Sequence, residues 1–370
     1  MTSMTARADD ERFMSLALAL GRRGLGNTWP NPAVGAVVVK DGEIAGRGWT
    51  QPGGRPHAET EALRRAGAAA RGATLYATLE PCSHHGKTPP CADAIIAAGI
   101  ARVVSAIEDP NPEVAGQGYA RLRAAGIAVE DGLKAREAAH DHDGHIRRVR
   151  DGRPHVTLKL AISADGKAGL AGRKPVAITS EAANARVHLL RAMHDAILTG
   201  IGTALSDDPL LTCRLPGMEN RSPVRVVLDR DLRLPVGSRL VSTARDIRVW
   251  VIAGADAPAQ NETALRKAGV EILRTKPSAN GVDLVAALAL LADKGITRLL
   301  VEGGPQVAAS FLNTDLVDEA VLLRGPQTIG PSGIDALDGM PLDALTASSR
   351  LTLSGQDMLG PDMIQFYERT

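Results

Sequence analysis

The sequence predicts an α/β protein of two tandem domains, and three observations carry that expectation. The chain has 370 residues, longer than one typical domain. Apolar strand-like runs alternate with helix-spaced segments in each half. Between the halves lies HDHDGHIRRVRDGRP, residues 140–154, polar, charged and poor in apolar residues. The domain boundary is expected in that stretch, with domains at 1–145 and 150–370.

The segment up to Gly26 reads as an amphipathic helix and not a signal peptide, because its apolar run Met14–Leu20 is short and follows acidic residues. Ala33–Lys40 and Glu43–Trp49 read as strands joined through Asp41-Gly42, a strong hairpin signal. Glu59–Ala70 has helical spacing, Ala73–Leu79 is a strand, Ala92–Ala98 a helix and Arg102–Ile107 a strand. Gly118–Ala125 and Ile127–Glu130 repeat that alternation. It restarts with a strand at Val156–Ile162, a helix at Ala182–Met193 and strands at Ala196–Gly200, Val224–Leu228 and Ile247–Ala253. A helix at Leu284–Ala292 leads into a strand at Arg298–Glu302.

Composition narrows the function classes. Hydrophobic residues make up 44% and charged residues 23%, ample for packed cores. A net charge of +1 gives little help in holding a phosphate backbone, and 2% aromatics is a poor supply for stacking on bases. A nucleic-acid partner is therefore not expected. Cys82, Cys91 and Cys213 are too few for a disulfide framework. No run approaches the roughly 20 apolar residues that span a bilayer, so no membrane partner is expected and the expected location is the cytoplasm.

The informative cluster is His57-Ala58-Glu59 with Pro81-Cys82 and, after eight intervening residues, Cys91. One His and two Cys hold zinc with a fourth position open to water, whose pKa the metal lowers toward about 7. A Glu that is not a ligand then moves protons to the leaving ammonia, the role expected of Glu59. A closed structural site is the alternative, with His84 or His85 as fourth ligand, but a Glu two residues after a ligating His has no purpose there. His140, His142 and His145 suggest a second metal less well than a solvated linker. In the C-terminal half no G-x-G-x-x-G fingerprint occurs. Val301-Glu302-Gly303-Gly304-Pro305-Gln306 is its best phosphate-binding candidate, and a weak one alone.

NPAVG at Asn31–Gly35, the HAE triplet and LEPCSHHGKTPPC at Leu79–Cys91 resemble the deaminase half of the bifunctional riboflavin-biosynthesis deaminase/reductases. LKLAISADGK from Leu158, LLRAMHDAILTGIGTALSDDPLLTCR from Leu189, VRVVLD from Val224 and VEGGP from Val301 resemble the reductase half. The resemblance implies a cytidine-deaminase-like α/β/α domain followed by a dihydrofolate-reductase-like α/β domain, zinc and NADPH as cofactors, a small pyrimidine ribosylamine phosphate as substrate, and a homo-oligomer. It implies that Asn31 contacts the pyrimidine, with a turn residue before Pro32 as the alternative; His84 and His85, if not ligands, read as lining the substrate pocket. Cofactor contacts are implied at Ala161, Ala177, Thr203, Asp207 and Arg230 and along Gly304, Pro305, Gln306, Val307, Ala308, Ala309 and Ser310. Substrate contacts are implied at Lys159, Pro175, Arg191, Leu211, Arg214 and Glu302, the arginines being suited to a phosphate.

Two departures stand out. Pro175-Val176-Ala177 replaces the Ser-x-Trp that many members carry before a motif matching Ile178–Ser180, and Asp141 and His145 occupy positions that are usually apolar. Arg230 reads equally as a grip for the NADPH 2′-phosphate and as one more charge in a solvated run. The competing functions are a single-activity deaminase of a nucleoside or tRNA with an accessory domain, and a non-catalytic zinc protein that senses nucleotides.

Overall fold

Ala36-Val37-Val38-Val39 is an apolar run with no polar alternation, which suits a strand covered on both faces. It forms the centre of β1 (Gly35–Lys40), which turns at Asp41-Gly42 into antiparallel β2 (Glu43–Trp49). Both turn residues have positive φ, 50° and 81°, as a two-residue hairpin requires. In this computed structural model residues 2–84, 86, 88–112, 114–170, 176–278 and 281–370 are described, and the chain divides into units Met1–Gly152 and Arg153–Thr370.

The first unit begins with α1 (Thr2–Gly21). After the hairpin come α2 (Ala58–Ala66), β3 (Thr74–Ala77), α3 (Cys91–Ala98), β4 (Arg102–Ser105), α4 (Gln117–Ala124) and β5 (Ala128–Glu130). The sheet order is β2-β1-β3-β4-β5, with β3, β4 and β5 parallel. Ala36 and Val38 pack with Ala62 of α2, Ile95 of α3 and Leu122 of α4. Val37 and Val39 pack on the other side with Phe13, Met14 and Ala17 of α1. The result is an α/β/α sandwich.

The stretch 140–154 is not the solvated linker that its composition suggests. It contains the end of α5 (Ala135–Asp141) and all of α6 (Asp143–Asp151), and an end at residue 145 would cut α6. His142 is 2% exposed, with Nε2 3.1 Å from the Thr78 hydroxyl, and both His145 ring nitrogens are buried. Burial pushes the His145 pKa down, so the neutral ring packs much as an apolar one would. Charges stay outside in the Arg22–Asp141 and Arg147–Asp151 pairs, and His140 is exposed. The helix is amphipathic through histidines, which a search for aliphatic periodicity does not register.

The second unit runs β6 (His155–Ile162), β7 (Lys167–Gly169), α7 (Glu181–Ala192), β8 (Ala196–Gly200), α8 (Ile201–Asp207), β9 (Val224–Leu228), α9 (Arg239–Ser242), β10 (Val249–Gly254), α10 (Ala259–Lys267) and β11 (Glu271–Thr275). A small ribbon of β12 (Pro277–Ser278) and β13 (Gly281–Val282) precedes α11 (Leu284–Asp293), β14 (Arg298–Val301), α12 (Pro305–Asn313) and β15 (Glu319–Arg324). Then β16 (Ile334–Asp335) pairs with β7, and α13 (Asp343–Thr346) leads to the hairpin of β17 (Leu351–Leu359) and β18 (Asp362–Arg369). These strands build a nine-stranded sheet in the order β11-β10-β9-β8-β14-β6-β15-β18-β17. From β11 to β15 neighbours are parallel, and β18 lies antiparallel to β15. Parallel strands leave all their carboxyl ends on one edge, where a crevice for ligands forms.

At the α7–β8 junction His194 is 3% exposed, its Nδ1–H donating to the Leu190 carbonyl (2.7 Å) and its Nε2 3.0 Å from the Thr157 hydroxyl. Burial pushes its pKa down from 6.5 to about 4. The unfolded chain protonates this ring below about pH 6.5 while the fold keeps it neutral. Stability is therefore full above pH 6.5 and is lost as the pH falls toward 4, by roughly 3 kcal/mol at most for this group. Denaturant unfolding of the full chain at pH 7 and pH 4.5 should show a smaller acid loss for His194→Gln than for the parent. Equal losses would refute the assignment.

Candidate active sites

In the first unit, α2 is entered through His57 as its N-cap residue and α3 begins at Cys91, so two positive helix ends meet near the same donors. His57 Nδ1 lies 3.3 Å from Cys91 Sγ and 3.7 Å from Cys82 Sγ. The Cys91 N–H donates to Cys82 Sγ at 3.2 Å. One ligand atom from each residue falls within 4.8 Å of the other two. One imidazole nitrogen and two sulfurs at this spacing fit a tetrahedral zinc ion with a position to spare.

The electrostatics agree with that donor set. The Cys82 thiol is pushed down to about 4, first by the hydrogen bond with the Cys91 thiol and then, against burial, by His57 and the Cys91 amide. Cys91 is pushed up by the same shared bond and by burial. His57 is raised chiefly by its bond to Cys82. Glu59, in the first turn of α2, is 3% exposed, and burial lifts its carboxyl to about 7. It stands outside the donor cluster and is able to take or give a proton near neutrality.

Asn31 Nδ2 lies 2.8 Å from the Gly54 carbonyl and 3.2 Å from His57 Nε2, so its side chain reaches the ring of one of the clustered donors. Its partner in the expected pocket, His84, is exposed in the insertion between the cysteines and is not among the clustered donors. His85 lies outside the described residues. Thr60 was not anticipated. Its hydroxyl is 4.0 Å from Cys91 Sγ, one helical turn beyond the N-cap, a spacing that the sequence does contain.

In the second unit the expected residues collect at the carboxyl ends of the parallel strands. Lys159 and Ala161 are on β6, Glu302 follows the adjoining β14, and Arg191 is on α7. Arg191 grips Glu302 through two bonds, Nε–H to Oε1 at 2.8 Å and Nη2–H to Oε2 at 2.9 Å, and donates a third to the Thr212 carbonyl. Lys159 Nζ lies 3.9 Å from Glu302, and burial pushes its pKa down. Burial raises the Glu302 pKa, but Arg191 and Lys159 outweigh it and hold the carboxyl below its ordinary value. Three of the Arg191 donors are thus spent within the protein, two of them on Glu302, whereas Arg214 is exposed and bonds the Thr212 hydroxyl through Nη1.

Thr203 on α8 approaches the start of α12, where a Cβ on Gly304 would meet its hydroxyl at 2.9 Å. Pro305, Gln306 and Val307 open α12 and Ser310 is exposed, but Ala308 and Ala309 are buried on its inner side. Those two alanines, 0% and 8% exposed, present little side-chain surface toward a cofactor, and Leu211, expected to touch the substrate, is 4% exposed. Asp207, at the end of α8, is exposed and bonded to Ser206. Arg230 follows β9 and pairs loosely with Asp256 at 3.3 Å. Ala177 is exposed before α7, and Pro175 lies outside the described residues. His188 was missed. Its Nδ1 lies 3.1 Å from the Thr212 carbonyl and 3.3 Å from the Arg214 amide nitrogen, and its i, i+3 spacing to Arg191 was the available signal.

Residues 7–107 match the family "Cytidine and deoxycytidylate deaminase zinc-binding region", and residues 154–364 match the "RibD C-terminal domain". The chain is 41% identical over 367 residues to the riboflavin biosynthesis protein RibD of Escherichia coli, covering 96% of this chain and 98% of that protein. It is 39% identical to the RibD of Aquifex aeolicus, covering 98% and 99%. A solved structure of Acinetobacter baumannii RibD superposes with a TM-score of 0.87 at 36% identity, covering 98% of this chain and 99% of that one. A Thermotoga maritima structure described as a diaminohydroxyphosphoribosylaminopyrimidine deaminase/5-amino-6-(5-phosphoribosylamino)uracil reductase gives 0.85 at 34%, covering 99% and 100%. Among the described residues no helix is long and apolar enough to cross a membrane. With a deaminase half of the zinc-binding type and a reductase half matched along nearly their whole length, the chain belongs to the bifunctional deaminase/reductase family of riboflavin biosynthesis.

Proposed function

We propose that the chain removes the 2-amino group of 2,5-diamino-6-ribosylamino-4(3H)-pyrimidinone 5′-phosphate and then reduces the ribosyl group of the product to ribityl with NADPH, in the cytoplasm, one activity in each unit. The observation that carries this reading is the cluster of His57, Cys82 and Cys91 donors beside Glu59, which is buried in the first turn of α2. The name of the Thermotoga relative supports the choice of substrate.

His57, Cys82 and Cys91 would hold a zinc ion, which would supply Lewis acidity toward a water molecule. Glu59 would take a proton from the attacking water as its oxygen adds at C2, and return it to the amine as the C2–N bond breaks and ammonia leaves. Asn31, braced on Gly54, orients the ring, and His84 lines the mouth. In the reductase unit NADPH supplies the hydride. Thr203 and the start of α12 from Gly304 to Val307, with Ser310, hold its phosphates, helped by the helix N-terminus. Ala161, Ala177 and Asp207 flank it. Arg214 takes the substrate 5′-phosphate while Arg191 fixes Glu302. Lys159, buried beside Glu302, gives the proton that the opening ribosyl ring needs.

Glu59→Gln is expected to keep its zinc and lose deamination by about 10²–10⁴-fold or more. Reduction of substrate deaminated beforehand should be unchanged, and metal analysis with steady-state rates checks all three. Zinc lost together with activity would make Glu59 structural. Arg230 sits at a strand end, and its pairing with Asp256, 39% and 59% exposed, is easily displaced. It is therefore free to grip a 2′-phosphate. Arg230→Ala should raise KM for NADPH about tenfold, the loss of one charged hydrogen bond, and leave KM for NADH nearly constant. Equal shifts for both cofactors would make Arg230 an ordinary surface charge.

A further inference from the structure

The two zinc cysteines are separated by eight residues, too many for the connecting loop itself to hold their sulfurs at a fixed spacing. Zinc demands sulfur positions good to a few tenths of an ångström around about 2.3 Å bonds. Backbone bonds from Cys91 and Ala92 to Cys82 tie the two turns directly, yet both start at or next to the ligands. A second element is packed against both turns from outside.

We propose that the segment Gly116–Arg121 is a clamp that sets the spacing of the two zinc thiolates, with Glu80 as its positioning residue. Glu80 is 5% exposed and stands two residues before Cys82. Its carboxylate accepts four backbone N–H groups: Asp109 (3.1 Å) and Gly116 (2.9 Å) on Oε2, Gly118 (2.7 Å) and Tyr119 (3.3 Å) on Oε1. Both oxygens are fully used, and a carboxylate is the side chain with enough acceptor sites to do this. Gly118 rides directly on the turn, where a Cβ would stand 2.1 Å from the Pro81 carbonyl oxygen. Arg121 completes the grip. Its Nη1–H donates to the Ser83 carbonyl at 3.1 Å, just past Cys82, and its Nη2 pairs with Asp93 at 2.5 Å, just past Cys91. One short segment therefore holds the chain before and after Cys82 and after Cys91.

The clamp rests on zinc being bound by His57, Cys82 and Cys91. The test is the rate at which zinc leaves the purified full-length holoenzyme into a chromogenic chelator, read with the absorption bands of the cobalt-substituted protein. Glu80→Gln replaces one acceptor oxygen by an amide that points donors at N–H groups, and should release zinc about 10–100-fold faster, with shifted thiolate–cobalt bands. Arg121→Gln, whose ion pair is 41% and 32% exposed, should release it about twofold to fivefold faster. Arg123→Gln, on the same helix and away from both cysteines, should match the parent. Parent-like release and spectra in folded Glu80→Gln would overturn the clamp. If that variant does not fold, parent-like release in Arg121→Gln overturns it instead. A parent protein that binds no zinc would refute the metal assignment itself, a different outcome from failure of the clamp.

Discussion

The deaminase unit depends on holding an imidazole and two thiols, drawn from residues as much as 34 positions apart, within 4.8 Å of one another. Thiols that share a proton in a half-buried site resist losing it twice, which is why one is driven down and the other up. Helix starts at His57 and Cys91 lower that cost, and a divalent cation removes it. The same burial that makes the site expensive without a cation lifts Glu59 into the range where it exchanges protons at neutral pH. The donor cluster and the raised Glu59 carboxyl thus share one physical origin, burial where the starts of two helices meet.

The reductase unit holds a buried charge by pairing it with side chains of the opposite sign. Glu302 is buried at the end of a parallel strand, and such a charge persists only when it is paired and fully bonded. Arg191 supplies the bidentate partner, and Lys159 adds a second cation that is itself pushed toward losing its proton. A lysine in that position changes its charge state more readily than an exposed one, while the arginine does not. The difference between the two cations is what the proposed chemistry uses.

Much of this was legible in the sequence because it was local. The Asp41-Gly42 hairpin, the uniform apolar run of β1 and the HAE triplet each announce themselves within a few residues. The clustering of His57, Cys82 and Cys91 was legible because metal-binding chemistry restricts which residue types serve. The remainder was not local. Four N–H groups converging on Glu80 come from a loop and helix some 29 to 39 residues away. The helices at 135–151 turn histidines inward where aliphatic residues ordinarily signal a buried face. Strand β17 lacks an apolar signal because most of it faces solvent at the edge of the sheet, and the bidentate bond of Arg191 to Glu302 joins residues 111 positions apart. Pairing partners in three dimensions decide such cases, and spacing along the chain does not show them.

Two activities in one chain predict an ordered pair of chemical events. The most direct test is to incubate the purified protein with the diaminopyrimidinone ribosylamine phosphate, with and without NADPH, and to read the products by mass. Without NADPH the product should carry an oxo group in place of the amino group and nothing more. With NADPH it should in addition gain a hydride and a proton. An unchanged substrate, or deamination with no reduction when NADPH is present, would contradict the assignment of both activities to this chain.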